Sequence, residues 1–521
     1  MFTIAGLVIG CSDPMQAVNV PPLPTGEASV VAECALPSAY ESTLAASEPS
    51  AAVAGDPVIA PARARVRTAD TARRLACLGL TTLMAGGSPP GKSAVREVAA
   101  GAELHAVNNQ YVQLQPSRAE DFVSSIGVNI HLSYFDRVYG SGYHSIILPR
   151  LQELGLRHLR DGGTSLPNED WMRTVYDRWR EVSQLTGARF TVIVSPRRSD
   201  TGPGTNYDDM SHIRDLRDRI GANNIAAWEG VNEHDWSGRP NWAEEVRRSQ
   251  RALSAQVKAD PQMASMHRVL GPSLARPESA GAVGDLSAFM DFGVMHPYDG
   301  GQPPTTNLPS HVSGLRVLNA NRPLQATEVG YHTASASTNP WHWSLTELAQ
   351  AKYTMRQYVE LWNAGVQRSF GYELIDQGTD KTDMEANFGL LRIDGSRKPA
   401  FTGLRDLIAL LGDRGAPAFA THPLRVSFSG DTVGVRHLLL EKADGRRFLV
   451  LWQDKLSYDK IAKRDVSAPA KTVVIGFERA VTKATTFVPL TTGTAARGTV
   501  SNSRLVTLSV PDHPIVVEVV M

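Results

Sequence analysis

Between residues 122 and 412 the sequence alternates apolar runs with amphipathic stretches, and this alternation constrains the fold more than any other feature. Short apolar runs separated by helical patterns are typical of parallel sheets, because a parallel connection needs a crossover about as long as a helix. The predicted strands are Phe122–Leu132, Leu156–Arg160, Arg189–Ser195, Ile225–Val231, Arg268–Leu274, Phe292–His296, Pro323–Val329 and Arg368–Leu374. Such a set favours an α/β fold of the closed (β/α)8 TIM barrel type over the alternative, an open doubly wound sheet.

The connection after the seventh predicted strand shows the helical pattern clearly. Ser344 and Glu347 form an S-x-x-E capping box, in which each side chain bonds a backbone amide at the start of a helix. Apolar positions then recur at helical spacing as far as Trp362, and Gly365 provides a stop. We therefore predict a helix that begins just after Ser344 and ends before Gly365.

The character of the sequence changes after Gly412. Short runs rich in β-branched residues follow one another closely, and Gly, Asp-Gly and Pro separate them rather than helical patterns. Such runs are typical of an antiparallel β-sandwich. We predict a barrel domain over residues 104–412 and a C-terminal β-sandwich over residues 413–521, with residues 104–121 as a candidate for one further strand of the sandwich.

The first 103 residues form a separate region. Residues 1–103 are rich in Ala, Pro, Ser and Val and lack a sustained period, which predicts a low-complexity, disordered N-terminal extension. Within it, residues 63–93 carry several arginines, then a short apolar run, then small residues and prolines. That order is typical of an export signal and predicts a secreted or periplasmic protein, although the segment lies far from the first residue.

The same region contains a match to a phosphate-binding loop. Residues 86–93 fit the pattern G-x-x-x-x-G-K-S. Adjacent Pro89 and Pro90 remove amide donors that would face the phosphates. The chain between this segment and the first predicted strand is also too short for a nucleotide-binding sheet. We therefore reject a nucleotide site.

The composition argues against several other classes of protein. The 53 basic and 53 acidic side chains cancel, so the charge does not indicate a nucleic-acid partner. No run reaches the ~20 apolar residues that a membrane span requires. The 3 cysteines end at Cys77, so the predicted barrel and sandwich hold neither a disulfide nor a thiolate metal site. We expect no metal ion and no cofactor.

The predicted strands end in polar residues although they are otherwise apolar. These residues are His131, Arg160, Asp161, Arg197, Asn232, Glu233, His296, Tyr298, Glu328, Tyr372 and Glu373. In a parallel barrel all of these strand ends meet at one face, where function resides. A carboxylate at the end of a buried strand is costly unless it has partners or a task. We therefore predict a site at this face, with Glu233 and Glu328 as its central carboxylates.

This pattern resembles clan A of the glycoside hydrolases, whose members are retaining enzymes on (β/α)8 barrels. Asn232-Glu233 at the end of the fourth predicted strand and Glu328 at the end of the seventh resemble the signature of that clan. Residues 387–401 are similar to its connection from the eighth strand into the last helix. With the trailing β-domain, the chain resembles the β-xylosidase, α-iduronidase and cellulase-like members.

The sixth and eighth strands add one similarity and one difference. His296-Pro297-Tyr298 is similar to the clan's segment on strand six, whose tyrosine commonly contacts the nucleophile. Many members carry a tryptophan at the end of strand eight, whereas this chain has Tyr372-Glu373. The difference bears on how the innermost sugar would stack.

The resemblance implies a division of roles. A retaining mechanism needs one carboxyl group that donates a proton and one that attacks the anomeric carbon. By resemblance Glu233 is the acid/base and Glu328 the nucleophile. Arg160 would hold Glu328 ionised by charge pairing, and Tyr298 would orient it. Asn232 would bond the sugar 2-hydroxyl.

Other polar and aromatic residues are candidates for substrate contacts. We expect His131, His296, Tyr372, Glu373 and Trp341 to contribute to the substrate-binding surface. Glu229 lies four residues before Glu233 in a strand and is predicted to be a structural partner. The acidic loop of Asp380, Asp383 and Glu385 is either a calcium site or, as we prefer, an exposed loop.

The prediction from sequence is therefore a retaining glycosidase that acts on an oligo- or polysaccharide. A transglycosylase on the same fold and a non-catalytic carbohydrate-binding barrel are the alternatives. The sequence does not decide the sugar, the linkage, endo or exo action, or the oligomeric state.

Overall fold

The computed structural model describes residues 110–163, 170–198 and 205–521. The low-complexity region predicted for residues 1–103, the signal-like segment 63–93, the loop-like motif 86–93 and the three cysteines lie outside the described residues. Predictions for those features remain predictions from sequence.

Eight parallel strands form a closed barrel. In chain order, and named the first to eighth barrel strands, they are Ile126–Asn129, His158–Gly163, Arg189–Val194, Ile225–Glu229, Arg268–Leu270, Gly293–Met295, Leu324–Val329 and Ser369–Gly371. The eighth strand pairs with the first, so the hydrogen-bonded order runs six, seven, eight, one, two, three, four, five. A parallel bridge between Leu270 and Phe292 joins the fifth strand to the sixth and completes the ring. The barrel prediction is confirmed, and the open sheet is excluded.

Helices surround the barrel. The described α-helices are Ala119–Ser124, Val138–Ser141, Leu148–Leu154, Asp170–Thr186, Ile213–Ile220, Trp242–Ala259, Pro261–Met266, Ala280–Val283, Leu308–Gly314, Arg316–Asn319, Glu347–Asn363 and Pro399–Leu411. A π-helical turn, Tyr143–Ile147, and several 3-10 turns lie between them. Large apolar side chains fill the space between helices and strands: Trp179 stacks on Phe190 of the third barrel strand with ring centroids 4.7 Å apart. Full burial of side chains of this size contributes about 1.5–3 kcal/mol each.

Two boundaries differ from the sequence prediction. The first predicted strand begins with a helix instead, because Ala119, Phe122 and Val123 have the i, i+3, i+4 spacing of one helical face and all three are buried. The helix after the seventh barrel strand is capped by Thr346, whose hydroxyl accepts from the amide of Ala349 at 3.0 Å. Ser344 lies too far before the first helical residue, Glu347, to act as the cap.

The C-terminal strands form one eight-stranded, mostly antiparallel sheet with its own core. Its strands are Leu424–Gly430, Val435–Glu441, Arg447–Gln453, Lys471–Phe487, Ala496–Val510 and Ile515–Val520, together with Val112–Leu114 and Ser117–Arg118. The long strand Lys471–Phe487 pairs with Leu424–Gly430 before an irregularity between Gly476 and Val481, and with Ile515–Val520 after it. Lys471–Phe487 thereby joins Leu424–Gly430 and Ile515–Val520 into one sheet. The pairing of Val112–Leu114 with Leu424–Gly430 provides the extra strand expected near residues 104–121.

Two short antiparallel strand pairs complete the described strands. They are Arg197–Arg198 with Thr205–Asn206, and Tyr458–Asp459 with Arg464–Asp465. In the described part of the chain, no helix has both the length and the apolar character that crossing a membrane requires.

Candidate active site

A single arginine lies at the centre of the polar face where the barrel strands end. Arg160, on the second barrel strand, is 1% exposed. Its Nε and Nη2 donate to the two carboxylate oxygens of Glu229, each at 2.8 Å. Nη1 donates to Glu328 at 2.6 Å and to Asn129 at 2.9 Å, and Nη2 also donates to Asn232 at 2.7 Å. Arg160 therefore links four strands and orients the acceptors around it.

Glu328, on the seventh barrel strand, is 3% exposed and receives a different donor on each oxygen. Oε1 accepts from Arg160 at 2.6 Å, and Oε2 accepts from the hydroxyl of Tyr298 at 3.0 Å. Burial by itself raises the pKa of this carboxyl group. The charges of His296 and Arg160 and the Tyr298 hydrogen bond outweigh burial, so the pKa of Glu328 lies below its usual value. Glu328 is therefore a carboxylate at neutral pH.

Glu233 follows the fourth barrel strand in a strained backbone conformation. Its φ is 45°, in the left-handed region that residues other than glycine rarely adopt. The amide of Glu233 donates to the carbonyl of Ser273 at 3.1 Å, which helps hold this conformation. The side chain is 22% exposed, far more than that of Glu328. Strain of this kind concentrates at functional sites, where the surrounding structure maintains it.

His296 lies between the two carboxylates and has both ring nitrogens engaged. Nδ1 is 2.6 Å from an oxygen of Glu233, and Nε2 is 3.1 Å from the hydroxyl of Thr327. That hydroxyl donates its only hydrogen to Glu229 at 3.0 Å, so it accepts from Nε2–H of His296. With that proton on Nε2, Nδ1 is the ring nitrogen that faces Glu233. Burial lowers the pKa of His296, but Glu328 and Glu233 raise it above its usual value overall.

The two predicted carboxylates are close together. One oxygen of Glu233, one oxygen of Glu328 and a nitrogen of His296 all lie within 4.8 Å of one another. Among the described residues this is the one group of acidic and histidine side chains close enough to hold a metal ion. Glu328 is already paired with Arg160 at 2.6 Å, and a cation there would have to approach the guanidinium. The donor set therefore suits a metal ion poorly.

The residues predicted at the first and eighth strands form a second group. His131 lies with Nε2 3.3 Å from Oε2 of Glu373, stacks on Tyr134 at 4.5 Å and meets the ring of Tyr372 edge-on at 5.6 Å. Glu373 is 0% exposed and also accepts from Gln377 at 2.7 Å. Burial raises the pKa of Glu373 despite the nearby His131. Glu373 is therefore a buried partner of His131 and has no exposed surface with which to contact a substrate.

Two tryptophans lie exposed on loops at the same face. Trp341, after the seventh barrel strand, is 57% exposed, and its backbone crosses Gly300, where φ is 58° and a side chain would collide with the Trp341 carbonyl. Trp236, after the fourth strand, is 47% exposed and lies under the guanidinium of Arg276 at 4.1 Å. Arg276 covers one face of Trp236, so Trp341 is the better suited of the two to stack on a sugar ring.

Several contributing residues were not predicted from the sequence. Thr327 connects His296 to Glu229, and the hydroxyl of Ser273 donates to Asn232 at 3.0 Å. No local signal marks either residue, because each acts on a partner from another strand. Glu229 was interpreted as a structural partner, and its two-point ion pair with Arg160 agrees.

Glu385 differs from the exposed acidic loop that the sequence suggested. Asp380 and Asp383 are exposed, but Glu385 is half-buried and accepts from the hydroxyl of Tyr372 at 3.4 Å. Burial raises the pKa of Glu385 to about 8, and the charges of Glu373, Glu328 and Glu233 add to the effect. The exposed-loop interpretation is therefore wrong for this one residue.

Comparison with solved structures shows which proteins share this fold. A family 39 glycoside hydrolase from the gut symbiont Bacteroides cellulosilyticus WH2 aligns with a TM-score of 0.50 and 16% identity, over 78% of this chain and 83% of that one. A glucosidase from Croceicoccus marinus aligns at 0.49 and 12%, over 73% and 93%. The GH51 arabinofuranosidase from Xanthomonas axonopodis pv. citri aligns at 0.48 and 13%, over 79% and 100%.

At these identities the first alignment bears on the fold alone, and the other two scores are too low to add to it. Neither a family model nor a curated protein matches the sequence significantly. The chain therefore shares the barrel and trailing β-domain architecture of the family 39 structure, and its chemistry must be argued from its own residues.

Proposed function

We propose that the protein is a retaining glycoside hydrolase that cleaves an oligo- or polysaccharide by double displacement. The observation that carries the proposal is the separation of Glu233 and Glu328, whose nearest oxygens lie within 4.8 Å. Retaining glycosidases keep their two carboxyl groups about 5–5.5 Å apart, whereas inverting enzymes need about 6.5–9.5 Å to admit a water molecule. The short separation supports direct attack by one carboxylate.

The different surroundings of the two groups support the assignment of roles. Glu328, buried and paired with Arg160, is the ionised group and serves as the nucleophile. Glu233, more exposed and with one oxygen 2.6 Å from His296 Nδ1, serves as the acid/base. Two carboxyl groups in such different environments can divide the roles of nucleophile and acid/base between them.

In the first step, an oxygen of Glu328 bonds to the anomeric carbon as the bond to the leaving oxygen breaks, and Glu233 gives that oxygen its proton. In the second step, Glu233 takes a proton from water, the water oxygen bonds to the anomeric carbon, and the bond to Glu328 breaks. Each step inverts the carbon, so the product keeps the configuration of the substrate.

Asn232 is suited to hold the sugar ring during both steps. Arg160 and Ser273 both donate to Oδ1 of Asn232, at 2.7 and 3.0 Å, which fixes the orientation of the amide group. We assign the amide NH2 of Asn232 as the donor to a sugar hydroxyl. A fixed donor of this kind stabilises the transition state without reorganisation.

Trapping with fluorinated glycosides is the direct test. A panel of aryl glycosides and polysaccharides would first identify a cleaved substrate, and the matching 2-deoxy-2-fluoro glycoside would then be added. We expect stoichiometric inactivation with the label on the peptide that contains Glu328. A label on another residue would refute the assignment, and binding without cleavage of any substrate would favour the carbohydrate-binding alternative.

Replacing Glu233 with alanine should slow the enzyme in a way that depends on the leaving group. General acid catalysis contributes about 10²–10⁴-fold, and a good leaving group does not need it. We expect that loss for unactivated glycosides and a much smaller effect on formation of the covalent intermediate from dinitrophenyl glycosides. Azide should restore turnover and yield a glycosyl azide with the configuration of the substrate. An equal loss for all leaving groups would contradict the acid/base role.

A further inference from the structure

We propose that Glu360 is a positioning residue through which the C-terminal β-domain holds Tyr298 against Glu328. The inference rests on the proposed function, since it assigns Glu360 an effect on the nucleophile. Glu360 lies on the helix Glu347–Asn363, outside the barrel, and does not contact Glu328 among the described hydrogen bonds. Its two carboxylate oxygens face different parts of the molecule.

One oxygen of Glu360 faces the β-domain. Oε1 accepts from the indole Nε1 of Trp452 at 3.0 Å and from Nε of Arg356 at 2.8 Å. Arg356 is 0% exposed and also donates to Asp454 at 3.0 Å and to the carbonyl of Lys455. Trp452 belongs to the strand Arg447–Gln453, and Asp454 and Lys455, which accept from Arg356, follow that strand directly. The β-domain therefore fixes the position of Glu360.

The other oxygen faces the loop after the sixth barrel strand, residues 296–307, here called the sixth loop. Oε2 of Glu360 accepts from the hydroxyl of Thr305 at 3.2 Å. Thr305 has a φ of 66°, a strained conformation for a β-branched residue, and its amide donates to Asp299 at 3.0 Å. Asp299 also accepts from the amide of Asn307 at 2.8 Å, and the Asn307 side chain donates to the carbonyl of Tyr298 at 2.7 Å.

A second contact from the β-domain acts on the sixth loop indirectly, through Trp343. The Nζ of Lys460 lies 3.2 Å from the ring centroid of Trp343, on the loop after the seventh barrel strand. The amide of Trp343 donates to the carbonyl of Gly300 at 3.3 Å, two residues after Tyr298. Two separate parts of the β-domain thus act on the loop that carries the hydroxyl donor to Glu328.

The expected consequence follows from the electrostatics of Glu328. The charged or titratable groups that act on it are Arg160, His296, Tyr298, Glu233, His131 and Glu385. His296 begins the sixth loop, and Tyr298 lies two residues further along it. The hydrogen bond from Tyr298 favours the carboxylate. If the sixth loop shifts, that bond weakens and the pKa of Glu328 rises. Because the carboxylate is the reactive form, the acid limb of the pH–rate profile then moves to higher pH.

Because charged groups surround Glu360, we expect the position of the sixth loop to depend on the charge of Glu360. Burial raises the pKa of Glu360, and Arg356 opposes that effect while Asp454 adds to it. Glutamine at position 360 keeps one acceptor and loses the charge that holds Arg356 and Thr305 together. Thr305→Val removes the hydroxyl contact from the opposite side without changing the shape of the side chain.

The test compares Glu360→Gln and Thr305→Val with Glu347→Gln, each in the wild-type and Tyr298→Phe backgrounds. Glu347 is a matched control, because it starts the same helix and forms a two-point pair with Arg392 away from the sixth loop. The readouts are kcat, KM, the acid limb and the thermal midpoint. We expect Glu360→Gln and Thr305→Val to lower kcat about two- to tenfold, with KM nearly unchanged and the acid limb raised. Glu347→Gln should leave kcat and the acid limb unchanged.

The Tyr298→Phe background decides between positioning and simple destabilisation. If Glu360 acts through the tyrosine hydroxyl, its substitution should have no further effect on the acid limb once that hydroxyl is absent. The inference would be overturned if Glu360→Gln shifted the acid limb as much in the Tyr298→Phe background as in the wild type. It would also be overturned if Glu360→Gln lowered the thermal midpoint and left the acid limb unchanged. Should Glu360→Gln fail to fold, Thr305→Val carries the same test. A wild-type protein without glycosidase activity would refute the proposed function and this inference together, whereas an active enzyme with a failed cycle would refute the inference alone.

Discussion

Replacing Glu328 with alanine is expected to lower kcat by at least about 10⁴-fold, because removal of a covalent nucleophile eliminates the reaction path itself. The variant should remain folded, since Arg160 keeps its two-point pair with Glu229. Alanine also leaves space beside the anomeric carbon. Azide is expected to enter that space and to restore part of the turnover, with a glycosyl azide of inverted configuration as product. Product analysis by NMR measures both effects.

Glu328→Gln is the matched control for this experiment. Glutamine fills the same volume, cannot attack as a carboxylate and leaves no space for azide, so it should be inactive and should not be rescued. The inverted azide product also separates Glu328 from Glu233, whose alanine variant should give the retained product. Wild-type turnover by Glu328→Ala would remove this residue from the chemistry.

Replacing Arg160 with methionine is expected to destabilise the fold by about 3–5 kcal/mol, because it leaves two buried carboxylates without their cation. Glu229 is 0% exposed and Glu328 3%, so water cannot replace the guanidinium easily. Activity should also be lost, since the orientation of Glu328 and Asn232 depends on the same group. Chemical denaturation at neutral pH measures the change in stability.

The destabilisation should depend on pH with a definite sign. In the wild type, the pKa of Glu328 is lowered, so the stability it contributes is present at neutral pH and is lost as the pH falls through that value. In the variant, a buried carboxylate without a cation avoids its penalty by binding a proton, so the variant recovers stability as the pH falls. The difference between the two proteins should therefore be smaller at pH 5 than at pH 7.5.

Arg248→Met is the matched control for Arg160→Met. Arg248 pairs with Asp208 on the surface, where both side chains are largely exposed, and exposed pairs contribute little to stability. A stability change no larger for Arg160→Met than for Arg248→Met would contradict the central role of Arg160. A pH-independent difference would show that lost packing, rather than unpaired charge, causes the effect.

Local patterns predicted the barrel because they depend on neighbouring residues only. An apolar run between helical patterns identifies a strand wherever it occurs, and all eight barrel strands overlap their predicted positions. The polar residues at the strand ends could then be placed on one face by topology alone. The ends of strands and helices do not follow from the same patterns. Phe122 and Val123 fit an apolar strand as well as one face of a helix, and Ser344 fits a helix cap as well as Thr346 does.

The sequence by itself thus determined the architecture and the two carboxylates, whose positions follow from chain periodicity. The resemblance already implied that Arg160 pairs with Glu328 and that Tyr298 orients it, but only the tertiary structure gave the distances and the burial that distinguish the two carboxylates. Arg160 reaches Glu328 across 168 positions of the chain, and His296 reaches Glu233 across 63. Glu360, which sequence analysis did not identify, lies 92 positions from Trp452. Contacts over such separations depend on how strands and loops pack in three dimensions, and no local pattern encodes the distance between two side chains.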